Sequence, residues 1–272
     1  MVYGSYSGGI FLLELDPATG LILEGQEEYG IRLLGGNHAR IEAPYIVYNP
    51  DNAYYYLFLS FGGLGVNDGY NVRVCRSKAV TGPYEDAQGH DMRDCMCQPG
   101  HFWNDDDVTG FGVKLIGGHQ FWEDGAIVRS PGHNSAYRDP ETGRWFLIHH
   151  TRFAPRDDRY IVQTREMWFN DYGWPVVAPT RYVAEVPVGI APREGVYRVL
   201  SHGQDVNTVE HTAEALTLGE DFTAEGDVIL YNGVEYHGVF APGYDADHDT
   251  FTTTFTAMSR DGQTLWGIRE NP

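Results

Sequence analysis

A carboxyl group placed where water is scarce can hold its proton near neutrality, and Glu42 is set in such a place. It lies in Asn37-His-Ala-Arg-Ile-Glu-Ala-Pro-Tyr-Ile46, inside an apolar strand just before Ala43-Pro44. Burial penalises the anion, and a carboxylic acid still protonated near pH 7 is what a general acid needs. The plainer reading is a Glu paired with Arg40 on a sheet edge. A second constellation is Ser130-Pro-Gly-His-Asn-Ser135. His133 at a strand entry could ligate a metal, touch a substrate, or bond to backbone in the core. The third is His149-His-Thr-Arg152, ending a strongly apolar strand. Arg152 could reach a sugar hydroxyl or a carboxylate, or simply be solvated.

Aromatic residues crowd the loops at Phe61, Phe102-Trp103 and Phe121-Trp122. Their faces could stack on sugar rings or anchor the loops. Asp245-Ala-Asp-His-Asp249 has the first ligand positions of a calcium loop, but Thr250 and Thr256 stand where the sixth-position Gly and twelfth-position Glu belong. Asp105-Asp-Asp107 reads as a solvated loop tip. Cys75, Cys95 and Cys97 are too few for a disulfide framework and read as free thiols.

These groups must be positioned by strands. Tyr54–Phe61 is rich in β-formers and stops at Gly62-Gly63, and Asn71–Arg76 alternates polar and apolar residues. Ser135–Arg138 and Arg144–His149 flank the turn Asp139-Pro-Glu-Thr-Gly143, and Ile161–Phe169 meets Trp174–Val177 across Asn170–Gly173. No helical period exceeds about two turns, so the chain reads as all-β. Irregular stretches such as Tyr84–Val113 separate the hairpins, in the manner of successive propeller sheets. Pro179, Pro187 and Pro192 mark a boundary near Ala184–Pro192. Beyond it, about six short strands in the last 85 or so residues predict a compact antiparallel barrel or sandwich. Two domains are expected, 1–184 and 187–272.

The 272 residues carry 38 acidic against 19 basic side chains, a net charge of −19. Such a chain is a poor partner for nucleic acid or an anionic membrane. No run of 18 apolar residues is present to span a bilayer. The opening, Met1-Val-Tyr-Gly-Ser-Tyr-Ser-Gly-Gly-Ile10, has no basic leader region and reads as a strand already under way.

Six ordered segments together resemble glycoside hydrolase family 43 arabinanases, of the larger type in which a C-terminal β-barrel follows a five-bladed β-propeller. They are Val2–Ile10, Gly35-Gly-Asn-His-Ala-Arg-Ile-Glu-Ala-Pro-Tyr45, Tyr54–Gly63, Arg76-Ser-Lys-Ala-Val-Thr-Gly-Pro-Tyr84, Ser130–Ser135 and Asp171-Tyr-Gly-Trp-Pro-Val-Val177. Tyr236–Phe240 and Thr254–Ser259 are similar to that family's terminal domain.

The resemblance implies inverting hydrolysis of α-1,5-linked arabinan by an Asp base, a tuning Asp and a Glu acid. The acid's role falls on Glu42, and the motif containing His133 implies one calcium ion. His38, Phe61, Asn134, Ser135 and Arg152 are the expected substrate contacts. In the family both Asp residues precede the segment at which this chain opens. The base and about two blades are therefore expected to be missing, and the isolated chain weakly active or inactive. A sequence truncated upstream is the plainest expectation; otherwise self-association or a complementing N-terminal chain would close the open edges. An exo-acting arabinanase or arabinofuranosidase, or a noncatalytic arabinan-binding module, are the competing expectations. A polymeric substrate implies an extracellular location.

Overall fold

A computed structural model of the chain describes residues 1–154, 157–184 and 193–271, with residues 157 and 158 described by backbone alone. The expected boundary near Ala184–Pro192 falls, from residue 185 to residue 192, outside the described residues. The described chain is almost wholly β. Its helical content is two single 3-10 turns, Met92–Asp94 and Asp105–Asp107, both inside the stretch expected to be irregular.

Three antiparallel sheets follow one another in chain order, as propeller blades do. The first holds β1 (Val2–Ser5), β2 (Gly9–Leu12) and β3 (Ile31–Leu34). The second is a meander of β4 (Ile41–Asn49), β5 (Tyr54–Phe61), β6 (Asn71–Ser77) and β7 (Val113–Ile116). The third contains β8 (His119–Gln120), β9 (Ile127–Arg138), β10 (Trp145–Ala154), β11 (Asp157–Phe169) and β12 (Pro175–Val177). The turn between β9 and β10 forms as its residues demand. Asp139 Oδ1 accepts from the Glu141 amide at 3.0 Å, the Gly143 amide donates back to the Asp139 carbonyl at 2.8 Å, and Gly143 takes φ 72°.

The C-terminal strands are β13 (Val196–Ser201), β14 (His211–Thr212), β15 (Glu214–Thr217), β16 (Thr223–Glu225), β17 (Val228–Tyr231), β18 (Val234–Asp245), β19 (Thr250–Ser259) and β20 (Thr264–Arg269). Seven of them form one antiparallel sheet in the order β15-β13-β20-β19-β18-β17-β16. The eighth, β14, leaves that sheet and pairs in parallel with β8, which ties the C-terminal region to the third sheet.

Burial explains why β5 shows little polar alternation: both its faces are covered. Tyr56 and Phe58 enter a core shared by the second and third sheets and the C-terminal strands, with Leu147, Trp174, Leu200 and Trp266. Leu57, Leu59 and Phe61 enter a second core with Ile10, Leu34 and Val108. A third core, around Tyr197, Phe240 and Phe255, lies within the seven-stranded sheet. Cys75, Cys95 and Cys97 are buried free thiols.

Candidate active site

Two prolines mark where the strands stop pairing regularly. In β4 the register runs from Glu42↔Ser60 to Tyr45↔Phe58, so Ala43 and Pro44 stand opposite one residue. Ala43 adopts φ 52° in this bulge. In β9 the register against β10 slips twice, between Ser135↔Ile148 and Gly132↔His150 and again before Arg129↔Arg152. Ser130 and His133 take φ 48° and 49° at those slips. Proline lacks the amide a regular ladder requires, and a bulge re-aims the neighbouring side chain. Glu42 and His133 are the residues so re-aimed.

They are brought together. His133 Nδ1 lies 4.0 Å from Glu42 Oε1, with the Glu42 side chain mostly buried and the imidazole open to solvent. The Tyr70 hydroxyl donates to Glu42 Oε1 at 2.6 Å, and Ser5 Oγ donates to Oε2 at 3.4 Å. Burial, followed by the hydrogen bond to Glu42, pushes the Tyr70 phenol well above its ordinary range, so it stays a donor. Burial, with Glu42 second, also pushes Tyr6 up to about 12; its hydroxyl donates to the Gly62 carbonyl at 3.2 Å.

Ser60, the cross-strand neighbour of Glu42, joins the two bulges. Its hydroxyl accepts from the His133 amide at 2.8 Å and donates to Asn134 Oδ1 at 3.0 Å, while Asn134 Nδ2 donates to the Ala43 carbonyl at 3.4 Å. The rings of Tyr70, His150 and His133 lie nearly parallel, with centroids 5.9 and 6.1 Å apart in succession. Desolvation, then the charges of His133 and Arg152, pull His150 down to about 4, so it is neutral at pH 7.

The remaining expected residues divide. Arg152 shares the strand face of His150 and lies against Tyr160, 4.2 Å from the ring centroid. His38 is half-buried, with its ring 4.9 Å from Phe102. Ser135 is half-buried opposite Ile148. Phe61 is a correction. Its ring is fully buried beneath the Arg73 guanidinium, so it has no face to offer a sugar. Asn134 is buried, its amide oxygen accepting from Ser60 and its amide nitrogen donating to the Ala43 carbonyl.

Arg40 does not pair with Glu42. It forms a two-pronged ion pair with Asp105, Nε to Oδ1 at 3.0 Å, and the Asp105 side chain is only 2% exposed. Asp105 is therefore no solvated loop tip. Asp245 and Asp249 are engaged locally, with His248 and the Tyr244 hydroxyl. Tyr70 is the residue that sequence reasoning missed: it lies in a loop and carried no periodic signal. His150 stood inside the expected His149–Arg152 constellation without a role of its own, and it shares a strand face with Arg152.

The donor set fits a cation only sparingly. Among the described residues no cluster of three or more His, Cys, Asp or Glu is placed to hold a metal. What this chain offers is one exposed imidazole, so a hard ion here would keep most of its ligands as water.

The family model of the GH43 C-terminal lipocalin-like domain matches residues 179–267. The chain is 43% identical over 287 residues to extracellular endo-α-(1→5)-L-arabinanase 2 of Bacillus subtilis, covering 99% of this chain and 61% of that protein. It is 41% identical to the extracellular endo-α-(1→5)-L-arabinanase of Thermotoga petrophila, again over 99% of this chain and 61% of the relative. The chain thus spans about three fifths of the length of these relatives. Among solved structures, a family 43 glycoside hydrolase from Bacillus licheniformis superposes with a TM-score of 0.93 at 41% identity, over 100% of this chain and 65% of that one. The Thermotoga petrophila endo-1,5-α-L-arabinanase gives 0.89 at 39% identity, over 100% and 64%. With blade-like sheets, a family 43 C-terminal domain and likeness along its whole length, the chain belongs to glycoside hydrolase family 43.

Proposed function

We propose that this chain carries the acid side of an inverting endo-arabinanase. One observation carries the reading: the Glu42 carboxyl stands mostly buried at a bulge, held by Tyr70, with the His133 imidazole 4.0 Å away. The names of the relatives supply the substrate class, α-1,5-linked arabinan.

In this reading the Glu42 carboxylic acid gives its proton to the glycosidic oxygen as the bond from that oxygen to the anomeric carbon breaks. A second carboxylate takes a proton from water, whose oxygen bonds to the anomeric carbon from the opposite face. Inverting enzymes hold the two carboxyls about 6.5–9.5 Å apart to admit that water. We assign the second carboxylate to a polypeptide segment that completes the ring of sheets, not to a residue of this chain. Light scattering of the purified chain, alone and mixed with such a segment, tests this: a monomer indifferent to the segment contradicts it.

Glu42→Gln in the full protein tests the acid. Release of oligosaccharides from linear arabinan is expected to fall about 10²–10⁴-fold, with arabinan binding retained. Unchanged release sinks the reading.

A single calcium ion near His133, completed by water, belongs to the same proposal. It would add positive charge beside the site and fix local geometry. Elemental analysis of protein purified without chelator should find one ion per chain, lost in His133→Ala. Protein with no metal speaks against it. Secretion is also proposed, from the relatives' extracellular names and a polymeric substrate; protein confined to the cell fraction contradicts it.

A further inference from the structure

The loop between β6 and β7 displays two adjacent aromatic rings to solvent. Phe102 is 67% exposed and Trp103 is 62% exposed. Trp103 also holds φ 58°, a left-handed conformation unfavourable for a bulky side chain. Burial of the indole would offset that cost, and the folded chain does not bury it.

The loop is held on both sides. Asp105 is locked to Arg40, two residues before Glu42. Asp107 Oδ2 accepts from the Gln98 amide and pairs with the His101 ring, both at 2.9 Å. From the C-terminal region, Asn207 Nδ2 donates to Asp106 Oδ1 at 2.9 Å. The Phe102 ring lies 4.9 Å from that of His38, in the segment that leads into β4. The Phe102 ring is thus held beside the segment that leads to Glu42, and Trp103 follows it in the same anchored loop. Flat aromatic faces in an acidic surrounding, on a chain of net charge −19, suit a neutral ligand with apolar ring faces.

We propose that Phe102 and Trp103 form a stacking platform for a pentose ring of the polysaccharide, away from the bond that Glu42 cleaves. The proposal rests on the arabinan reading above. It assigns the loop to gripping polymer, so its effect falls on long substrates.

The test uses the full protein carrying Glu42→Gln, which prevents turnover, with linear arabinan as the probe. Among the tryptophans of this chain, Trp122, Trp145, Trp174 and Trp266 are buried and Trp168 partly so, which leaves Trp103 as its most quenchable indole; the Trp103→Phe difference isolates its signal. Arabinan should blue-shift the emission and protect it from acrylamide, and Trp103→Phe should abolish both changes. The double variant Phe102→Ala/Trp103→Ala should weaken retardation on an arabinan affinity gel by about tenfold, with an unchanged melting temperature. If the parent is retarded and the double variant is retarded equally, the platform is wrong and the arabinan reading stands. An emission change that persists in Trp103→Phe overturns the platform in the same way. A protein that neither binds nor cleaves arabinan overturns both.

Discussion

The Tyr70 hydroxyl points at Glu42, donating to Oε1 across 2.6 Å from a loop 28 residues further along the chain. Tyr70 is itself fully buried. The bond fixes one carboxylate oxygen and leaves the other, near Ser5, on the more open side. Removing this donor should disturb orientation more than folding. Tyr70→Phe is expected to lower kcat on arabinan about tenfold or more, with KM little changed. An unaltered kcat would show that Glu42 needs no such support.

Gly132 makes this contact possible. A Cβ at that position would sit 2.0 Å from Tyr70 Cε1. The glycine is required by the approach of a neighbouring ring, not by its own backbone angle. Gly132→Ala should cost about 1–3 kcal/mol in stability through overpacking and displace Tyr70 from Glu42. Denaturant unfolding measures the first effect and arabinan hydrolysis the second; a variant indistinguishable from the parent in both would refute the packing account.

The C-terminal strands bury part of the main core. Leu200, Met258, Trp266 and Ile268 pack with residues of the second and third sheets, and Thr264 Oγ1 donates to the Lys114 carbonyl at 2.7 Å. Truncation after Ala184 would bare that face and remove two partners of the buried Lys114 ammonium, the Asp205 carbonyl and His211 Nε2. The truncated chain is expected to be insoluble on expression. A soluble, cooperatively melting fragment would show that the propeller sheets stand alone.

Acid should loosen the same junction. Burial holds His119 and His149 down at about 3, with the Arg165 charge second in each case. Burial, then Lys114, holds His211 at about 4, and burial puts His202 well below 6.5. These imidazoles are neutral in the fold and take up protons when the chain unfolds. Stability contributed by their neutral state is present above pH 6.5 and is lost as pH falls from 6.5 towards 3–4. Lys114, lowered from 10.5 to about 7 chiefly by burial, acts with the same sign at higher pH: the unfolded chain holds a proton there that the fold sheds. Melting temperature is expected to drop by roughly 5 °C or more between pH 7 and pH 5. A flat profile over that range would contradict neutral buried imidazoles.

Much of this molecule is written locally. β5 and the β9–β10 turn match their sequence signals, because strand propensity and turn chemistry act over a few residues. β18 and β19 run longer than their alternating cores, since the hairpin continues as far as cross-strand pairing allows. The meeting of Glu42 and His133 was legible through motifs, and Pro44 and Pro131 stand at the bulges beside them.

By itself, then, the sequence determined most of the strands and turns and pointed to Glu42 and His133, which the fold places 4.0 Å apart. Tertiary structure alone decided that Phe61 is interior, that Arg40 serves Asp105, and that Tyr70 and His150 stand beside Glu42 and His133. Period-two alternation states which residues share a face. It does not state which face another sheet will cover, nor which distant loop will lie against it, because those are settled by packing between segments far apart in the chain.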